Sequence, residues 1–218
     1  MRHLFFLLFL SIGLTTHAQH LQLKAGGGLA RLDSKSSAVP AWRLGAGYEF
    51  EFDQHWTFSP AVVFTLKGWE NPDETVYKKD AEGNYVLDPE TGNPLTGVKN
   101  TSTVTYHVEV PLLLNYYLRT KEREYVVFSV GPYLSYAVSG KTKVKGDTDR
   151  TGAERYYYDY DPFSDGDGKR FEAGAQVGVG YQFRNGVTAG VDFNYAFTAV
   201  EGSRKSVAAL LSFSYLFR

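Results

Sequence analysis

Residues Tyr106–Leu118 read YHVEVPLLLNYYL. Taken two at a time, the stretch separates cleanly. Tyr106, Val108, Val110, Leu112, Leu114, Tyr116 and Leu118 fall on one face, and all are apolar or aromatic. His107, Glu109, Pro111, Leu113, Asn115 and Tyr117 fall on the other. Successive side chains of a strand point to opposite faces, so a period of two predicts a strand with one greasy and one mixed face. Glu109 then points away from its apolar neighbours. Pro111 has no N–H to give to a ladder, so a bulge or a broken hydrogen bond is expected beside it.

The same alternation runs outward from this stretch. In Phe171–Phe183, FEAGAQVGVGYQF, the apolar set is Phe171, Ala173, Ala175, Val177, Val179, Tyr181 and Phe183. In Val187–Thr198, VTAGVDFNYAFT, it is Val187, Ala189, Val191, Phe193, Tyr195 and Phe197. Arg184-Asn185-Gly186 joins the two, and Asn-Gly signals a tight hairpin. Leu21–Leu32, Trp42–Phe52, Trp56–Trp69, Tyr125–Ser139 and Lys205–Phe217 complete a set of eight strands. Two long polar inserts, at about 70–102 and 140–168, alternate with short turns such as Asp53-Gln54-His55 and Thr120–Glu124. Long links at one end and short ones at the other mark an outer-membrane barrel, with extracellular loops above and periplasmic turns below. The expectation is an all-β, eight-stranded antiparallel up-and-down transmembrane β-barrel, in one domain over residues 19–218.

Composition agrees. The 218 residues include 16 Tyr, 15 Phe and 22 Gly, a mixture suited to strands and turns. A formal net charge of −1 provides no field for nucleic acid, and none is expected as a partner. There is no cysteine, which excludes disulfide staples and a lipidated cysteine. Residues 1–18 read as a signal peptide: Arg2 and His3, the short apolar run Leu4–Leu14, then Thr16-His17-Ala18 before a cut that leaves Gln19 first. That run is too short for a spanning helix, which needs about 20 residues. The expected address is the outer membrane of a Gram-negative bacterium.

Four features turn the apolar face toward lipid rather than inward. The opposite face is rich in Gly, Ser, Ala and Thr, which suit a narrow lumen. Aromatics gather near strand ends, as at bilayer interfaces. Most of the strands exceed the roughly 9–11 residues that cross hydrocarbon at a tilt. The chain ends SFSYLFR, with Phe213, Tyr215 and Phe217 on one face as in terminal strands of such barrels, although Arg218 follows the last aromatic.

Beyond these patterns, YHVEVPLLLNYYL, VVFSVGPYLSYAVSGK (Val126–Lys141), FEAGAQVGVGYQFRNGVTAGVDFNYAFT and VAALLSFSYLFR resemble the PorT-like outer-membrane β-barrel proteins of Bacteroidota. The Glu-x-Pro-Leu-Leu pattern and the later Gly-Pro-Tyr strand carry the likeness, which covers everything but the two inserts. It implies an eight-stranded outer-membrane barrel and little about activity. A named member is associated with a secretion and gliding machinery, a role this chain need not share.

With the apolar face outward, the lumen receives Lys24, Arg43, Glu49, Glu51, Lys67, His107, Glu109, Glu172 and Asp192. Buried charges must be paired, so the expectation is a plug of ion pairs. Lys24 is expected near Glu49 and Glu51. Arg43 and Lys67 are expected to meet Glu109 and Asp192. No cofactor and no catalytic residue is expected: His107 and Glu109 share a face deep inside, and no lipid-facing Ser-His-acid set is visible. The loops are the binding candidates, because function concentrates on loops held by a rigid scaffold. Tyr156, Tyr157, Tyr158, Tyr160 and Asp161 stand out, since tyrosine-rich loops grip proteins or glycans at small entropic cost. Asp161, Asp165 and Asp167 offer oxygens but lack the calcium-loop spacing, so no metal is expected. In the first insert, turn clusters at Glu82-Gly83-Asn84 and Glu90–Asn93 flank Tyr85-Val86-Leu87 and predict a small hairpin. The functional expectation is binding, surface interaction or envelope assembly through these loops. Partners are outer-membrane lipid and other envelope proteins or glycans. The alternative is a narrow porin-like channel, and a lipid-modifying enzyme is a third reading.

Overall fold

The computed structural model describes residues 19–80, 82–147, 156–164 and 168–217. Residues 1–18, which carry the expected signal peptide, lie outside the described residues. The strands are β1 Gln19–Arg31, β2 Val39–Glu51, β3 Trp56–Glu70, β4 Glu74–Tyr77, β5 Thr96–Lys121, β6 Glu124–Gly146, β7 Tyr156–Tyr160, β8 Phe171–Gln182, β9 Val187–Ala196 and β10 Val207–Leu216. Eight of them close a ring in the order β1-β2-β3-β5-β6-β8-β9-β10, and β10 pairs back onto β1. Every pairing in the ring is antiparallel, so the expected barrel is present and has no open edge. The opening stretch is part of β5.

Burial is inverted relative to a protein folded in water. Arg43, Glu49, Lys67, His107, Glu109 and Glu172 are buried, while Leu44, Phe197 and Leu211 are about 60 % open on the outer surface (61 %, 59 % and 60 %). A perimeter that apolar is a lipid-facing one. Aromatics band it at both ends and touch across strands. Trp42, Phe64 and Tyr106 follow one another at 5.9 Å spacing at the upper end, and Trp56 meets Tyr116 at 4.9 Å at the lower end.

The short turns sit together at the lower end, over 52–55, 122–123 and 183–186. In the first, the Asp53 carboxylate accepts from the backbone N–H groups of His55 and Trp56 at 2.7 and 2.8 Å, which hold its carboxyl below the usual range. In the last, Gly186 takes φ +86°, a left-handed conformation that costs a residue without Cβ nothing.

Two features of β5 and β6 depart from the expectation. Their pairing does not stop near Thr103 and Ser139, where the first insert is expected to end and the second to begin. It continues to Lys99 opposite Gly146, so the hairpin projects beyond the barrel. The segment Thr96–Thr105 is polar on both faces, as suits a strand standing in water, and therefore shows no hydrophobic alternation. A bulge also hides the continuation. Tyr106 pairs with Ser139 but His107 with Ala137, so Val138 is the extra residue. Below the bulge Tyr133, Ser135 and Ala137 point inward; above it Thr142 and Val144 do.

Pro111 gives the broken ladder rather than the bulge. The β3–β5 register is the same on both sides of it, but pairing lapses where Ala61 and Val62 face Val110 and Pro111. Pro60 and Pro132 do the same to the adjoining interfaces. The β2–β3 ladder lapses at Tyr48–Glu49 opposite Ser59–Pro60, and the β5–β6 ladder at Leu112–Leu113 opposite Gly131–Pro132. Each proline removes one donor, and none shifts the register.

Candidate functional site

The lumen is crossed by one polar cluster. Lys67 on β3 reaches Glu109 on β5 at 2.9 Å and Glu172 on β8 at 2.7 Å. Tyr133 on β6 donates its hydroxyl to the same Glu172 oxygen at 2.7 Å, and its ring lies 5.0 Å from the Lys67 ammonium. Tyr133 fits because Gly174 faces it: a Cβ there would come within 2.7 Å of the ring. Asn194 on β9 donates to Glu109 at 3.2 Å. One layer away, Arg43 on β2 pairs with Asp192 on β9 and donates to Gln176 on β8 at 3.2 Å. These links tie six strands of the ring. Arg43 and Lys67 were expected to meet Glu109 and Asp192 with the partners left open; the structure gives Glu109 to Lys67 and Asp192 to Arg43.

Two expectations are corrected. Lys24 does not pair with Glu49 or Glu51. The register sets Lys24 opposite Gly45 and Glu49 opposite His20, four residues apart, and the Lys24 ammonium bonds the Ser59 hydroxyl at 3.4 Å. Glu51 lies outside the buried set, at the open lower rim, where His20 is 3.7 Å away. His107 shares the inner face with Glu109, as expected, and bonds Ser135 at 3.0 Å and Thr105 at 2.9 Å. Glu49 is caged by neutral donors: Tyr117 at 2.5 Å, Thr57 at 2.6 Å and Gln22 at 3.3 Å.

The neutral partners Tyr133, Tyr117, Gln176, Asn194 and Gln22 were not among the residues singled out from sequence. Their inward parity is visible in the sequence, but a neutral side chain carries no charge that demands a buried partner. Space in the barrel divides unequally. A cavity of about 60 Å³ remains beside Lys24, Arg43 and Gln176. A wider mouth of about 560 Å³ opens at the lower end between His20, Glu49, Glu51, His55 and Arg119.

Above the barrel, β4, β5, β6 and β7 form a four-stranded antiparallel sheet. The predicted small hairpin is there as a short meander: Lys78 and Val86 exchange backbone bonds with Leu95 and each other, turning at Asp80–Asn84 and Asp88–Asn93. Of the tyrosine-rich segment, Tyr158 stacks on Tyr160 with ring centres 6.3 Å apart. Tyr156 and Tyr157 lie in β7 beside Gly146 and Lys145. Asp159 pairs with Lys141 at 2.5 Å and Asp161 with Arg170 at 3.7 Å. Among the described residues no three His, Asp or Glu side chains converge on a metal position. Asp165 and Asp167 lie outside the described residues.

Comparison with known proteins bears on the fold. The family model for the outer membrane protein beta-barrel domain matches residues 17–201. Among solved structures, the attachment invasion locus protein Ail of Yersinia pestis is 11 % identical, over 91 % of this chain and 97 % of that one, with a TM-score of 0.34. Neisserial surface protein A is 16 % identical over 90 % and 96 %, at 0.41. The outer membrane enzyme PagL is 10 % identical over 89 % and 98 %, at 0.44. Likenesses this slight do not transfer a role. No curated protein matches the chain.

Proposed function

We propose, for a chain that belongs to the outer membrane protein beta-barrel domain family, a closed barrel that holds a recognition sheet above the membrane. It acts by binding, as a surface or envelope-assembly component, and not by passing solute or turning over a substrate. The observation that carries this reading is the continued β5–β6 ladder, which takes β4 and β7 clear of the barrel on paired strands. Loops built only to cap a barrel need no such ordered extension. The cluster on Lys67 supports the closed half of the reading, since it joins opposite walls at hydrogen-bond distance. Within the family, we infer from the Glu109–Leu113 and Gly131–Tyr133 signatures a kinship with the PorT-like barrels of Bacteroidota, and export by a signal cleaved before Gln19. Its partners are envelope proteins or glycans.

Cross-linking and pull-down from native outer membranes tests the reading, comparing the intact chain with one whose sheet is cut back to the bulge. Loss of a defined partner with the sheet is expected. Recovery of the same partners by both chains refutes the reading. Planar-bilayer recording of the pure folded protein should show no large, stable conductance.

A further inference from the structure

The cavity of about 60 Å³ within the lumen has an unbalanced lining. Among the described residues its charged groups are Lys24, Arg43 and Asp192, set among the hydroxyls of Ser59, Ser129 and Ser214. Asp192 is taken by Arg43. Lys24 forms no ion pair among the described residues; its ammonium bonds the Ser59 hydroxyl at 3.4 Å. An ammonium has three N–H donors, so that one long bond leaves most of its capacity unused. Glu49 lies outside this lining and is already held by Tyr117, Thr57 and Gln22.

A second donor is left over beside the first. Arg43 is 5 % exposed, and its terminal nitrogens serve Gln176 and Asp192, but its Nε–H has no partner. Gly26 lets the side chain lie against β1, since a Cβ there would come within 3.3 Å of that Nε. Lys24 stands two residues along the same strand and on the same face. A buried cation without a counter-charge is costly. Water can satisfy both donors but brings no charge. One excess positive charge calls for one negative charge, and a dianion would overshoot it and be repelled by Asp192.

We propose that this cavity binds a small monovalent inorganic anion of the halide kind, between the Lys24 ammonium and the Arg43 Nε–H, with serine hydroxyls completing its shell. The volume also admits a water that donates to the unpartnered Oε1 of Gln22. Entry is from below, because Tyr117 lines both this cavity and the wide lower mouth. Above, Lys67 with Glu109 and Glu172 crosses the lumen, so the anion is held rather than conducted. The site lies inside the barrel and does not depend on the partner-binding sheet proposed above.

The test refolds the full chain in halide-free sodium gluconate, whose six-carbon anion is far larger than a halide, and titrates sodium bromide at constant ionic strength. A rise of the urea-unfolding midpoint that saturates with bromide is expected, because a ligand of the folded state stabilises it. Lys24→Gln, which removes the excess charge, should weaken the apparent bromide affinity by about tenfold or more. Lys24→Arg should retain it, and Lys121→Gln at a lower turn should leave it unchanged. Heat-modified gel mobility checks that each variant folds. Anomalous diffraction from crystals of the unaltered protein grown in bromide locates the ion independently of any variant, and a peak between Lys24 and Arg43 is expected. No peak inside the barrel, no saturable shift, or a shift that K24Q keeps in full overturns the proposal, and the cavity then holds water alone.

Discussion

Two carboxylates are buried in this lumen by opposite means. Glu109 sits against the Lys67 ammonium, which Glu172 shares. Glu49, 1 % exposed, is held by two hydroxyls and an amide. The first arrangement depends on one cation that serves two anions. The second spreads its load over three neutral donors on three strands. A shared counter-ion is a single point of failure, while a cage degrades donor by donor. The difference shows why the upper cluster, and not the lower, ties the ring together.

The comparison can be broken most sharply at Lys67. Lys67→Met strands two carboxylates, and a loss of about 3–5 kcal/mol is expected from urea unfolding in lipid vesicles followed by Trp fluorescence. Adding Glu109→Gln and Glu172→Gln to the same chain should recover most of that loss, because no unpaired charge remains. If the triple variant is no better than Lys67→Met, packing rather than charge holds the cluster. Tyr117→Phe, read by the same unfolding curves, removes one donor of the Glu49 cage and should cost about 1–3 kcal/mol.

The smallest effect lies outside the lumen. Asp53 has its carboxyl depressed by the His55 and Trp56 N–H groups. A depressed folded value means that its stabilisation is full above the unfolded value of about 3.9 and is lost as pH falls through the folded one. Asp53→Ala should therefore lower stability slightly at neutral pH and by progressively less as the pH falls below about 4, as a pH series of unfolding midpoints will show.

Much of the site was legible residue by residue, and its failures are specific. That Arg43, Lys67, Glu109 and Asp192 meet was readable because all four side chains share the lumen parity and a similar height, although which cation takes which carboxylate was not. Lys24 misled because height along one strand does not give height on the next: the observed register offsets it from Glu49 by four residues. Tyr133 carries no charge to mark it as a partner, yet its parity is inward and Gly174 makes its room. The projecting sheet escaped notice because β5 and β6 lose their apolar face once they leave the bilayer.

The sequence by itself determined the strands, their two faces and the membrane address. Those depend on a period of two and on which side chains lipid accepts, and both are local properties. Only the tertiary structure decided which cation serves which carboxylate, where the bulge changes the phase of β6, and how far the hairpin stands above the barrel. Those depend on the stagger and tilt with which eight strands close, and no single strand carries that information. In YHVEVPLLLNYYL, alternation alone sends Glu109 inward; closure of the ring is what brings Lys67 and Asn194 to meet it.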